Sequence, residues 1–360
     1  MRSMRFLGLL ALAAVLAATG GACSGQPAAR AVSCKTVSPS GECVVGEPLY
    51  PADPSGIAPV EDMVVESGNV YWTSGRYGRV MAVSVDGGAP VTLTTGPTQP
   101  WGITASPTTV YWTELNQNFV DNNAVYQAAV DGGPPVLVVP MAENPVSIAL
   151  DSTGLYWSQS ADDGVLGGVA VSGKILRIPL GGGSVVTLAS SQSSPSSLAV
   201  NGSSVFWIDA FGPGVPPPNG VISSVALGGG VVTTIASGFN APTGAPPRFL
   251  AADASRAYWI SPDSAAMGTE VHDGSIKATL IGSNTIDLLA SGQNEPAALA
   301  IDSSFVYWVN LSGTVMKVAL GGGSLSTLAD GQPGPGAIAV DATSVYWGNY
   351  DGSIVKLTPK

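Results

Sequence analysis

Seven aromatic pairs constrain this chain more than any other feature. They stand at Tyr71-Trp72, Tyr111-Trp112, Tyr156-Trp157, Phe206-Trp207, Tyr258-Trp259, Tyr307-Trp308 and Tyr346-Trp347, spaced 39 to 52 residues apart. Each follows an apolar run such as "SIALD" or "ALAID" and precedes a second run such as "TVMKVAL", then "GGG" or "DGG", then "STLA" or "VTLA". Read as strands, one repeat is a four-stranded antiparallel meander, the unit of a β-propeller blade. Asp151, Asn201, Asp253, Asp302 and Asp341 end the first strand, where an Asx side chain closes a tight turn, and glycine pairs such as Gly182-Gly183 supply hairpin turns. The reading is therefore all-β: a seven-bladed propeller of four-stranded antiparallel blades.

A residue type repeated at equivalent positions in every blade belongs to the scaffold. Successive side chains of a strand point to opposite faces, so Tyr and Trp are each expected to pack against a neighbouring blade. The last repeat stops at Lys360 without its fourth strand. Val44 to Tyr50 is expected to complete that blade and to leave no open sheet edge.

At these repeats the sequence resembles the YWTD-type and NHL-type propellers, through "VYW(T/S)" followed by "GxVxKVxLGGG", over roughly residues 44–360. It is similar as well to exported bacterial propellers of unknown function. The resemblance implies a fold and no ligand. YWTD repeats place Asp after the Thr, where this chain has Ser74, Glu114, Gln159, Asp209, Ser261, Asn310 and Asn349.

Residues 1–22 read as a signal peptide: basic "MRSMR", apolar "FLGLLALAAVLAA", small "TGGA". Cys23 sits where a bacterial lipoprotein carries its lipid, with ordinary cleavage near Ala22 as the alternative. The chain has three cysteines, and lipidation of Cys23 leaves Cys34 and Cys43 to form a disulfide in an oxidising compartment. Residues 23–43 would be a tether, and 44–360 the propeller domain. The expectation is a monomer of the cell envelope, held to a membrane only by its N-terminal lipid. With 14 Lys and Arg against 25 Asp and Glu, the net charge of −11 repels phosphate backbones and excludes nucleic acid as the expected partner.

Function is expected where the repeats differ. The loops joining strands b–c and d–a share one face, and there the second to fifth repeats carry long insertions, from "ELNQNFVDNNA" to "SPDSAAMGTEVHDG", with "SGFNAPTGAPPRF" between repeats four and five. Residues entering strand a frame the channel mouth on that face. Glu61, Asp62, Trp101, Arg248 and Phe249 make the candidate pocket, with an apolar wall and opposed charges, for a protein, peptide or glycan. The competing structural reading has Trp101 and Phe249 capping the channel and Arg248 paired with Glu61 or Asp62.

"GVAVSGKI" misses the phosphate-loop pattern, because Ile175 replaces the metal-holding hydroxyl and a strand follows. His272, the only histidine, lies in a polar loop with no G-x-S-x-G nucleophile in the chain. No cofactor is called for, and zinc patterns are missing from the sequence. Calcium could occupy the oxygen-rich stretches at Asp121, Asp162-Asp163 or Glu61-Asp62, none with EF-hand spacing. The reading is a non-catalytic binding propeller. The alternative is an envelope hydrolase or lyase, by analogy with lactonase-type propellers, working through Glu61, Asp62 and a divalent cation.

Overall fold

A computed structural model of the chain describes residues 46–52, 59–95, 99–114, 123–140, 142–160, 173–209, 219–240, 248–262, 273–283 and 285–360. The expected signal peptide, the proposed lipidation site Cys23, the pair Cys34 and Cys43, His272 and most of the long b–c insertions lie outside the described residues.

Twenty-eight strands form seven four-stranded antiparallel sheets among the described residues. Strand β1 (Glu47–Tyr50) comes first in the chain but last in the ring. The first blade is β2 (Asp62–Glu66), β3 (Asn69–Ser74), β4 (Arg79–Ser84) and β5 (Val91–Thr95). The innermost strands of the next five blades are β6 (Pro100–Ala105), β10 (Pro145–Leu150), β14 (Pro195–Val200), β18 (Arg248–Ala252) and β22 (Pro296–Ile301), each followed by its own meander. The seventh blade is β26 (Pro335–Val340), β27 (Val345–Asn349) and β28 (Ile354–Leu357), and β1 pairs with β28 to complete it. Each innermost strand lies beside the next, and β26 lies beside β2, so the ring closes.

The aromatic pairs hold the blades together as their alternation demands. Seven apolar clusters occupy the seven interfaces, and each joins the Trp of one blade to the Tyr or Phe of the blade before it: Trp112 with Tyr71, Trp157 with Tyr111, Trp207 with Tyr156, and Trp259 with Phe206. The series continues with Trp308 and Tyr258, Trp347 and Tyr307, and finally Trp72 with Tyr346, across the closure. All fourteen rings are buried. Each removes a large apolar area from water, and together they supply much of the cohesion between blades.

The face carrying the a–b and c–d turns is built from repeated local chemistry. Asp151, Asp253, Asp302 and Asp341 each accept backbone amides two and three residues on, closing the a–b turn. Each also accepts the hydroxyl of the blade's own tyrosine, five residues later. In the one blade where Phe206 replaces tyrosine, Asn201 replaces aspartate and closes the same turn through Oδ1. On the c–d hairpins, Gly182 (φ 84°) and Gly183 (φ 135°) adopt a backbone that L side chains disfavour.

Candidate binding site at the channel mouth

Five of the seven innermost strands open with proline, three residues ahead of a buried or half-buried apolar position, as in Pro100-Trp101-Gly102-Ile103 and Pro195-Ser196-Ser197-Leu198. Proline at a strand's first residue forfeits no ladder bond. In the first blade Val60 takes that place in the sequence, ahead of Glu61, Asp62 and Met63, and in the fifth Pro247 precedes Arg248, Phe249 and Leu250. Every one of the proposed site residues therefore enters on the b–c and d–a face, at the inner end of its blade.

The residue just before that apolar position links one blade to the next at three of the interfaces. The Ile103 amide donates to Asp62 Oδ2 (3.0 Å), the Leu198 amide to Ser147 Oγ (2.9 Å) and the Leu250 amide to Ser197 Oγ (2.8 Å). In the fifth, sixth and seventh blades the same place holds Phe249, Ala298 and Ala337. Phe249 packs on the clusters of both the fifth–sixth and sixth–seventh interfaces. Its φ of 49° is unfavourable for a bulky residue and falls at a register irregularity of the strand, as does the φ of 46° at the equivalent Ser197. The channel wall is thus polar along one arc and apolar along the other.

Asp62 also accepts the Met63 amide (2.8 Å), so both of its oxygens bond the backbone. Burial pushes its pKa up to about 6 against the opposing pull of those two amides, with the neighbouring Glu61 charge adding to the rise. Burial likewise raises Glu61. A side chain on Gly75, at the start of the Gly75–Tyr77 3-10 turn, would stand 3.5 Å from Glu61 Cγ, which places Glu61 beneath that turn. Trp101 is fixed by its backbone: its carbonyl accepts the Thr73 hydroxyl (2.6 Å) across the first blade interface. Trp101 is 41% exposed, in contrast to the seven scaffold tryptophans, all at 2% or less.

The sequence-predicted residues fall into two groups. Glu61, Asp62 and Trp101 adjoin one another across the first and second blades, while Phe249 lies on the apolar arc. The Arg248 side chain lies outside the described residues. Among the described residues, no group of three or more His, Cys, Asp and Glu side chains is placed to hold a metal ion.

Sequence reasoning missed a second polar layer. The residues two after the Trp of each aromatic pair, from Ser74 to Asn349, are all buried at the b–c end of their strands. Within it, Asp209 Oδ2 accepts the Trp207 indole N–H (2.9 Å), whereas Oδ1 is buried with no partner among the described residues. Burial pushes its pKa up to about 7, despite that bond and those from Ser193 and Ser223. The available signal was an acidic residue at a position that the aromatic pattern places inside a blade interface.

No family model matches the chain, and no curated protein matches it. Its fold does have counterparts. Virginiamycin B lyase from Staphylococcus aureus superposes with a TM-score of 0.60 at 13% identity, over 84% of this chain and 95% of that one. The WD40 β-propeller domain of Doa1 gives 0.64 at 12%, over 88% and 97%. A puromycin-hydrolysing peptidase of Mycobacterium tuberculosis gives 0.60 at 15%, over 86% and 54%. At these identities the likeness is one of fold alone.

Proposed function

We propose that this chain is a non-catalytic binding propeller of the bacterial cell envelope, carrying a peptide or glycan at the channel mouth on its b–c and d–a face. The exposed Trp101 indole carries this reading. Every other tryptophan is committed to a blade interface, whereas this one has its backbone carbonyl bonded across the first blade interface and its side chain exposed. An exposed indole on a strand anchored to its neighbouring blade suits stacking on a sugar ring or on a peptide side chain. The export signal, a lipid on Cys23 and a Cys34–Cys43 disulfide belong to the same proposal; the mass of the mature N-terminus tests them.

The experiment is binding of the purified protein to glycan and peptide arrays, repeated with Trp101→Ala and Glu61→Gln. Loss of affinity by about tenfold or more in Trp101→Ala, with an unchanged melting temperature, is expected for a ligand stacked on that ring. Ligands bound equally well by the variant would remove the site from the channel mouth.

The hydrolase or lyase reading draws on one observation, the raised pKa of Asp62, since perturbed carboxylates gather at active sites. Against it, both Asp62 oxygens are already engaged by backbone amides. Stoichiometric divalent metal in the purified protein, lost in Asp62→Asn, would reverse the order of the two readings.

A further inference from the structure

Fifteen large apolar side chains are strongly exposed among the described residues, and they are not scattered. Trp101, Leu311 and Tyr350 are on the b–c and d–a face. The other twelve lie in c–d hairpins or in the first three residues of a fourth strand, near the opposite face. Val231 is 88% exposed, and Leu180, Val185, Leu280 and Leu325 stand at equivalent tips of the third, fifth and sixth blades. The hairpins of blades three to six, "LGGGSVV", "LGGGVV", "LIGSNTI" and "LGGGSLS", contain no ionisable residue.

Two features point to what covers them. Equivalent points on a closed ring lie near a single plane, so successive apolar tips match a flat partner better than a globular one. Second, β1 runs antiparallel to β28, with Glu47 opposite Lys356 and Tyr50 opposite Ile354. Since β28 runs toward the c–d face, the chain enters β1 from that face, and Gly46 lies there. The described chain therefore begins, at Gly46, on the side of the apolar tips.

We infer that the c–d hairpins of blades three to six form a membrane-docking face that rests its apolar tips in the headgroup region of a lipid bilayer. Uncharged Leu and Val tips enter that region without the cost of desolvating a charge, and each adds a small apolar transfer term. The ring's acidic balance gives no attraction to anionic lipid, so the contact is apolar and depends on tethering. The ligand face then points away from the membrane. This orientation rests on the membrane attachment proposed above; the exposed tips do not.

The test attaches the protein through residue 23 to vesicles of phosphatidylethanolamine and phosphatidylglycerol with brominated acyl chains. Its own lipid is used, or a maleimide-bearing lipid if mass spectrometry finds Cys23 unmodified. Val231→Trp is the probe, and the wild type, whose one exposed tryptophan faces away, is the blank. Docking gives Val231→Trp emission that is blue-shifted and quenched at least about twofold, unchanged when salt rises about tenfold, and lost when Leu180→Asp and Leu325→Asp are added. Emission indifferent to brominated lipid overturns the docking face even if Cys23 carries lipid. A blue shift that appears without vesicles as protein concentration rises assigns the tips to a second copy and also overturns it. Quenching through the maleimide route with an unmodified native Cys23 upholds the docking face while removing the lipid anchor.

Discussion

Asp209 holds a carboxylate inside a blade interface, and burial raises its pKa to about 7. A carboxyl raised in the folded state binds its proton more tightly there than in the unfolded chain. Its contribution is fully present below the ordinary value near about 4 and is lost as pH climbs through about 7. Asp62 acts in the same direction up to about pH 6. Urea denaturation of the wild type is therefore expected to lose stability between about pH 4 and pH 7, and Asp209→Asn to lose less, by about 1–3 kcal/mol. An unaltered pH slope in the variant would contradict the buried charge. The Asp–Tyr pairs make a second test. Phe206→Tyr alone buries a hydroxyl beside Asn201 and is expected to destabilise by about 1–2 kcal/mol, and adding Asn201→Asp should recover most of that in a double-mutant cycle. The Asx turns were legible because Asp or Asn stands at the end of the first strand in five of the seven repeats. The tyrosine partner was not read, although the joint change to Asn201 and Phe206 records it.

Strand β1 is the element on which closure depends. Leu49 is buried among Trp72, Tyr346 and Ile354, and Tyr50 lies 5.6 Å, ring to ring, from Trp72. A Cβ on Gly46 would approach Val355 Cγ1 to 2.6 Å and Trp347 to 2.9 Å, so the chain passes there only as glycine. Leu49→Ala is expected to cost about 2–4 kcal/mol in denaturant unfolding, the ordinary penalty for emptying a packed leucine site. A change under about 0.5 kcal/mol would mean that the closing strand contributes little. The need for this strand was readable from the missing fourth strand of the last repeat, and the observed strand begins at Glu47 within the expected 44–50 segment. Repetition made the strands readable; the long loops, which have no period, offered only their length.

For the whole molecule, the fold was legible and the site only partly so. Blade count, meander order and the burial of fourteen aromatic rings all follow from one periodic pattern. The polar and apolar arcs of the channel do not, because they depend on Phe249 reaching across two interfaces and on Asp62, Ser147 and Ser197 each bonding the next blade. Ring closure also decides on which face the described chain begins and which presents Trp101, so both functional proposals share it. Its most direct test is a cross-link between residues paired across the seam, Glu47 and Lys356. After mild oxidation of a Glu47→Cys, Lys356→Cys variant, peptide mass spectrometry should find the two introduced thiols joined to each other within one chain. An introduced thiol at position 47 that stays free, or that joins only another chain, would contradict a ring closed by its N-terminal strand.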